Sequence, residues 1–285
     1  MKHLAAGWPP FEEINAMNHT NAADSMIKTY TTGPLFKVWA AKQDAGLWPS
    51  ELAMVRKHCQ NPEATICNIG CGAGRETFAL YRMGFRNLCG IDRSETLLEA
   101  ACGRCRDEGL SIHFEAARAD QLPFGEASLD VLTMFENLYG HITPHDARLR
   151  ALAEARRVLR PGGVVLMTVT SMYHNVLYKL YIQALQLLRC LHNPGGMERG
   201  DKLLNRNHWP LGATRPTAPR THWFCPEEVP ADAARVRLTV IQRTTTSGVV
   251  RNPAADSLRY RGEGRLAYVL CRPDAARSRP NPRDT

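Results

Sequence analysis

Three glycines in five positions, Gly70, Gly72 and Gly74 of "NIGCGAGR", stand between an apolar run and a helix-like run. Glycine lets a chain turn tightly and lets a ligand reach the main chain without a Cβ in the way. The helix start that follows offers free N–H groups and a partial positive charge. A dinucleotide site would read G-x-G-x-x-G. Here the spacing is G-x-G-x-G, and position 75 is Arg. The acids Asp92, Asp120 and Glu136 each fall at or just after the end of an apolar run. His141, with Tyr139 two residues before it, and His222 in "THWFCPEEV" are candidates for taking a proton from an acceptor, since imidazole titrates near neutral pH. Cys102 and Cys105 have C-x-x-C spacing, but no second ligand pair follows. They read as ordinary helix positions, and no metal is expected.

The elements that must position these groups alternate. "TICNI" reads as a buried strand before the glycines and "GRETFALYRMG" as a helix closed by Gly84. "NLCGID" is a second strand ending in Asp92, and "SETLLEAACGRCRDEG" a helix capped by Ser94 and left through Gly109. "SIHFEAA" and "SLDVLTMFE" are a third and a fourth strand. "PHDARLRALAEARRVL" is an amphipathic helix with Pro144 in its first turn, and His145 starts it on the surface. Residues 160–163 turn the chain into a fifth strand, "VVLMTVT", and "LTVIQRTTT" and "RLAYVLCR" are two late strands. Ahead of all these, "LFKVWAAKQ" and "PSELAMVRKHC" are helix-like, the second capped by Ser50. Strands separated by helices imply parallel pairing through right-handed crossovers, with ligands at the carboxyl ends of the strands. The glycines and the three acids share that location.

Composition bounds the class. The 285 residues suffice for one large α/β domain, and an apolar content of 44% with 22% charged residues is that of a soluble globular chain. No run is long and apolar enough for a membrane span, the first residues lack a secretory core, and nine scattered cysteines suit free thiols; a cytoplasmic location is expected. Residues 172–285 hold 18 Lys+Arg against 9 Asp+Glu, so the surplus behind the net charge of +8 lies away from the glycines. Residues 172–192 read as one helix, apolar around most of its circumference except for a stripe at Lys179, Gln183, Gln186 and Arg189.

"NIGCGAGR", "GIDRS", "ADQLPFGEASLDVL" and "ALAEARRVLRPGGVVLMTV", in that order over about residues 60–171, resemble the class I S-adenosylmethionine-dependent methyltransferases. The resemblance implies a Rossmann-like, doubly wound, seven-stranded sheet, mostly parallel with an antiparallel last strand, plus a helical lid. It divides the chain into an N-terminal helical segment (1–60), a cofactor-binding core (61–171), an insertion over the acceptor (172–222), the end of the core sheet (223–272) and a disordered tail (273–285). It implies S-adenosyl-L-methionine as cofactor, with Gly70, Cys71, Gly72 and Gly74 along its methionine end. Asp92, followed by Arg93, would take the ribose hydroxyls, and Asp120, with Gln121 beside it, the adenine amino group. Phe135 and Glu136 would lie at the cofactor's edge. The family usually has an acid where this chain has Asn68, which keeps the hydrogen-bonding shape and loses the charge.

The acceptor read here is a small molecule, of natural-product type, methylated on oxygen or nitrogen, with His141, Tyr139 and His222 as the residues facing it and the 172–220 segment capping the pocket. The basic C-terminal part raises RNA, tRNA above all, as an alternative acceptor, although few aromatics interleave its arginines. Asn68 raises a second alternative, a non-catalytic cofactor-binding subunit, with the helix at 176–191 as a partner surface or homodimer interface.

Overall fold

The computed structural model describes residues 40–173, 180, 183, 184, 187, 197–203, 220–254, 256 and 264–274. Seven strands form one sheet: β1 (Ile66–Ile69), β2 (Leu88–Asp92), β3 (His113–Ala116), β4 (Leu129–Met134), β5 (Leu159–Thr170), β8 (Thr239–Thr245) and β9 (Arg265–Cys271). Their spatial order is β3-β2-β1-β4-β5-β9-β8. Neighbours from β3 through to β5 pair in parallel, and β9 runs antiparallel to both β5 and β8. The sheet is therefore the seven-stranded one expected, and the chain's last strand is the inverted one.

Side chains from successive strand positions enter two different layers, as a pleat requires. Leu132, Val165, Met167 and Tyr268 pack on one face with Leu152, Phe224 and Val229. Val131, Leu166 and Val269 pack on the other with Met54, Val55, Leu80 and Val249. The first layer is covered by α5 (His145–Val158) and α6 (Glu228–Arg235), the second by α1 (Pro49–His58), α2 (Arg75–Arg82) and α7 (Thr246–Arg251). Burial on both faces explains why β1 and β4 read as continuous apolar runs.

Local chemistry sets the helix ends. In α3 (Glu95–Glu108) the Ser94 hydroxyl accepts from Leu97 N, and Gly109 leaves at φ 64°. Three boundaries differ from the sequence reading. Helix α1 starts at Pro49, not after a Ser50 cap: proline suits the first helical position, and the Glu51 carboxylate accepts from Trp48 N at 2.9 Å. Pro144 stands just before α5, and His145 is half-buried, its Nε2 2.7 Å from Asp232 Oδ1. Residues 160–163 belong to β5 as a bulge, since the register with β4 jumps between Leu159 and Val164.

The two short strands β6 (Asp201–Leu203) and β7 (Arg220–His222) pair antiparallel in a sheet of their own. Of the long helix expected at 172–192, the described positions 180, 183, 184 and 187 are helical. Leu180 and Leu187, on this helix, are 56% and 70% exposed. They share one face with Gln183 at spacings of three, four and seven, and that polar face points outward. Residues 1–39, with most of "LFKVWAAKQ", and 275–285, with most of the tail, lie outside the described residues, as do Lys179, Gln186 and Arg189.

Candidate functional site

A single cavity opens at the carboxyl ends of β1, β2 and β4, about 1380 Å³ including its open mouth. Gly70, Cys71 and Gly72 line it, as do Asp92, Arg93, Asp120, Phe135, Glu136 and His141. These are residues that the sequence reading singled out, drawn from four separate strand ends.

The glycine loop is shaped for close approach. Gly70, Gly72 and Gly74 have φ of 71°, 52° and 91°, left-handed values that disfavour side chains. A Cβ on Gly70 would lie 2.4 Å from Leu138 Cδ1, and one on Gly74 2.6 Å from the Phe78 ring. Gly74 itself does not reach the cavity surface; its conformation turns the chain into α2.

Asp92, at the end of β2, is held on both oxygens. Oδ2 accepts from Gly72 N and Oδ1 from Ser94 N, each at 2.8 Å. Burial pushes its carboxyl above the usual range, against the pull of those N–H groups. One residue thus ties the glycine loop to the start of α3 and still lines the cavity. Asp120 sits in a turn closed by an Arg118–Gln121 bridge. Its oxygens accept from Arg118 Nε and Nη2 at 2.8 Å each, and Arg118 and Arg150 hold it below the usual carboxylate range despite its partial burial. Gln121 does not line the cavity.

Asn68 is buried one turn beneath the glycines. Its Nδ2 donates to Glu76 Oε2 and Thr77 Oγ1, both at 3.3 Å, and its Oδ1 accepts from Thr133 Oγ1 at 3.0 Å. Asn68 does not touch the cavity, but Glu76 does. The acid missing from the strand is present one side chain away, on α2. An Asp at 68 would set two carboxylates against each other, which is a physical reason for the amide. Glu76 and Glu51 both grip Arg75, with Arg75 Nη1 2.9 Å from Glu51 Oε2. Burial raises both glutamates, Glu51 to about 7, and the shared guanidinium opposes that rise. Sequence reasoning missed Glu76 because an Arg-Glu pair inside a helix looks like solvated surface.

The opposite wall is irregular. Glu136 and Asn137 follow β4 with φ of 51° and 65°, and α4 (Leu138–His141) starts there. Non-glycine residues in this region store strain and cluster at functional sites. The Asn137 amide holds the bend: Oδ1 accepts from Thr170 N at 2.8 Å and Nδ2 donates to Thr221 Oγ1 at 3.0 Å. His141, at the end of α4, lines the cavity, and desolvation pushes its imidazole down to about 4, with Glu136 opposing. It is neutral at pH 7. Glu136 Oε1 also accepts from Arg265 at 2.9 Å.

Tyr139 and His222 are placed elsewhere, which corrects their reading as acceptor-facing groups. Tyr139 alternates with His141 around α4 and turns into the core, its hydroxyl donating to Asp232 Oδ2 at 2.8 Å. His222 is buried, with Nδ1 2.8 Å from Asp201 Oδ1 and Nε2 3.6 Å from Glu228 Oε2. Burial works to lower its pKa, but Asp201 and Glu228 outweigh burial and raise it. Glu198, Asp201 and His222 bring donor atoms within 4.8 Å of one another. Each is already engaged, however: Glu198 by Arg148 at 2.7 Å, Asp201 and His222 by each other. This cluster anchors β6 to β7. Arg220, at the start of β7, was not singled out from the sequence, yet it lines the cavity.

Residues 66–163 match a family described as a methyltransferase domain. The chain is 35% identical over 100 residues to methyltransferase GfsG of Streptomyces halstedii, covering 34% of each chain. It is 33% identical over 118 residues to a ubiquinone biosynthesis O-methyltransferase of Methylococcus capsulatus, covering 41% of this chain and 48% of that one. The match thus spans about a third to a half of the length of these curated relatives. Among solved structures, an S-adenosylmethionine-dependent methyltransferase from Methanosarcina mazei superposes with a TM-score of 0.60 at 19% identity, over 80% of this chain and 99% of that one. A 1,6-didemethyltoxoflavin-N1-methyltransferase from Burkholderia thailandensis superposes with a TM-score of 0.53 at 16% identity, over 96% and 94%.

Proposed function

We propose that this chain, whose residues 66–163 match a methyltransferase domain family, is a class I S-adenosylmethionine-dependent methyltransferase that transfers a methyl group from S-adenosyl-L-methionine to an oxygen or nitrogen of a small-molecule acceptor. The observation that carries the reading is the sharing of one cavity by the glycine loop, Asp92 and His141.

The residues present fit the cofactor. Gly70 and Gly72, both left-handed, bring bare backbone to the cavity wall. Asp92 keeps lone pairs for two hydroxyls while its backbone bonds fix its direction. Glu76 supplies the negative charge toward the cationic end that Asn68 lacks. Phe135 and Leu97 offer apolar surface, and Asp120 stands at the far end of the cavity wall. The bound cofactor supplies an electrophilic methyl on a sulfonium. His141, which lines the same cavity, would take the proton that the acceptor's oxygen or nitrogen gives up. The protein's share is orientation and exclusion of water, because charge is neutralised in the transition state.

The 61–171 core and the 172–222 insertion are proposed as the cofactor-binding and acceptor-binding parts of the chain. The eight described cysteines are free, which supports a reducing, cytoplasmic setting; no helix among the described residues is long and apolar enough to cross a membrane. Calorimetric titration with S-adenosylhomocysteine tests the reading: micromolar binding to the native chain is expected, and no heat from folded protein would overturn it.

A further inference from the structure

Cations along the cavity differ in what neutralises them. Arg75 is clasped by Glu51 and Glu76, and Arg118 by Asp120. Arg220 is 5% exposed and lines the same cavity, yet its Nε is buried with no hydrogen-bond partner, and no carboxylate among the described residues pairs with its guanidinium. A guanidinium cannot shed its proton to escape burial, and an unpaired buried charge is costly. The arrangement is built, not loose. Arg220 is paired with Leu203 across the β6–β7 sheet. The next residue, Thr221, accepts from Asn137 and donates to Gly140 O at 3.5 Å. The β7 backbone that carries Arg220 is thereby held beside α4, whose His141 is the proposed proton acceptor. Leu138, Ile142 and Ala147 give this end of the cavity apolar walls.

We infer that Arg220 is a specificity-determining residue that binds a carboxylate on the methyl acceptor, so that the substrates are small, largely apolar molecules bearing a carboxylate beside the hydroxyl or amine to be methylated. A single planar fork matches a single carboxylate in bidentate fashion. A phosphate dianion calls for more than one cation; of the other cavity arginines Arg75 and Arg118 are neutralised, and Arg93 follows Asp92 at the end of β2. The inference rests on the methyltransferase reading and goes beyond it by naming the acceptor class.

The test uses the full chain saturated with S-adenosylhomocysteine and titrated with 3,4-dihydroxybenzoate, its carboxamide and phenyl phosphate. The carboxylate binds on the order of 100-fold more tightly than the carboxamide, because a site built for a charged partner rejects the analogue lacking it, and phenyl phosphate binds no better than the carboxamide. Arg220→Gln removes the preference while leaving S-adenosylhomocysteine affinity and its thermal shift intact; Arg220→Lys restores part of it. Equal binding of carboxylate and carboxamide by the native chain overturns the inference, as does binding of neither. Preference for the phosphate overturns it in favour of a phosphorylated acceptor. A tenfold loss of S-adenosylhomocysteine affinity in Arg220→Gln assigns the guanidinium to the cofactor's own carboxylate and overturns it too. Failure of the native chain to bind S-adenosylhomocysteine is a different result: it removes the functional reading itself, and the inference with it.

Discussion

The two ends of the cavity handle charge and backbone in opposite ways. At the glycine end, the loop is bare, the strands are regular, and each charged group described there has an internal partner: Asp92 with two backbone amides, Arg75 with two glutamates, Asp120 with Arg118. At the α4 end, non-glycine residues occupy left-handed conformations, a desolvated histidine faces the cavity, and Arg220 has no described counter-charge. The first end is complete without a ligand, as suits a cofactor that is always the same. The second carries a buried guanidinium for which a ligand would bring the charge, as suits the end where specificity is decided.

The comparison breaks most visibly at Asp92. Asp92→Ala removes both the proposed ribose acceptor and the tie between Gly72 and Ser94. Charge-assisted bonds of this kind are worth about 1.5–3 kcal/mol each, so S-adenosylmethionine affinity is expected to fall roughly 10³-fold. Titration calorimetry on variant protein with native circular dichroism measures it. Affinity within tenfold of the native chain would move the ribose elsewhere.

His141→Ala tests the other end. Loss of a positioned proton acceptor costs about 10²–10⁴-fold in kcat, with cofactor affinity unchanged. The pH dependence has a definite sign. The folded imidazole titrates near 4, below the ordinary 6.5, so it is neutral across pH 5–8 and its proton-accepting capacity is lost only as pH falls through about 4. A limb near pH 7 in kcat/KM then belongs to the acceptor, and it persists in His141→Ala. A limb near 6.5 that vanishes in the variant would show an exposed, ordinary histidine.

Much of the glycine end was legible in the sequence because it is made by local rules. A buried strand, glycines that allow positive φ, a Ser94 cap and an acid at a strand end are all short-range features, and the sheet follows from their alternation. The α4 end was legible only at His141, since strand-end position marked it without orienting it. Tyr139 carried the same signal and turns into the core. Helical phase separates the two, and a four-residue helix starting from a left-handed Asn137 has no phase that periodicity can detect. Arg220 lies at the far edge of a long stretch without pattern, and apolar content at 172–192 says how much of a helix is greasy, not which face is covered. Glu76 was hidden for a different reason: its role depends on Asn68, and the pairing of these two is visible only once β1 and α2 are packed.

That pairing gives a double-mutant cycle of smaller size. Glu76→Gln leaves an amide facing the cationic end of the cofactor, and S-adenosylmethionine affinity is expected to drop about tenfold, less than for Asp92→Ala because the amide keeps the side chain's shape and one acceptor oxygen. Asn68→Asp alone places a second carboxylate against Glu76, 3.3 Å away in the present contact, and lowers stability through like-charge repulsion. Glu76→Gln with Asn68→Asp puts one charge and one amide back on the pair with their positions exchanged, and is expected to recover affinity to within about threefold. Additive losses in the double variant would show that the carboxylate's position, and not its presence, is what the cofactor reads.

The smallest effect expected is at Asn137, which bears on whether the α4 end is a distinct unit. Its amide joins β5 to β7 through Thr170 and Thr221 across the strained bend. Asn137→Ala removes two hydrogen bonds and leaves a left-handed residue that alanine tolerates less well than asparagine. A stability loss of about 1–3 kcal/mol is expected, read as a fall in the midpoint of urea unfolding. The β6–β7 sheet loses its fixed distance from α4, so Arg220 is held less firmly. Acceptor KM is then expected to rise about three- to tenfold while S-adenosylhomocysteine affinity stays within twofold. Equal weakening of both ligands would mean that the bend at Asn137 supports the whole cavity, and that its two ends are not independent.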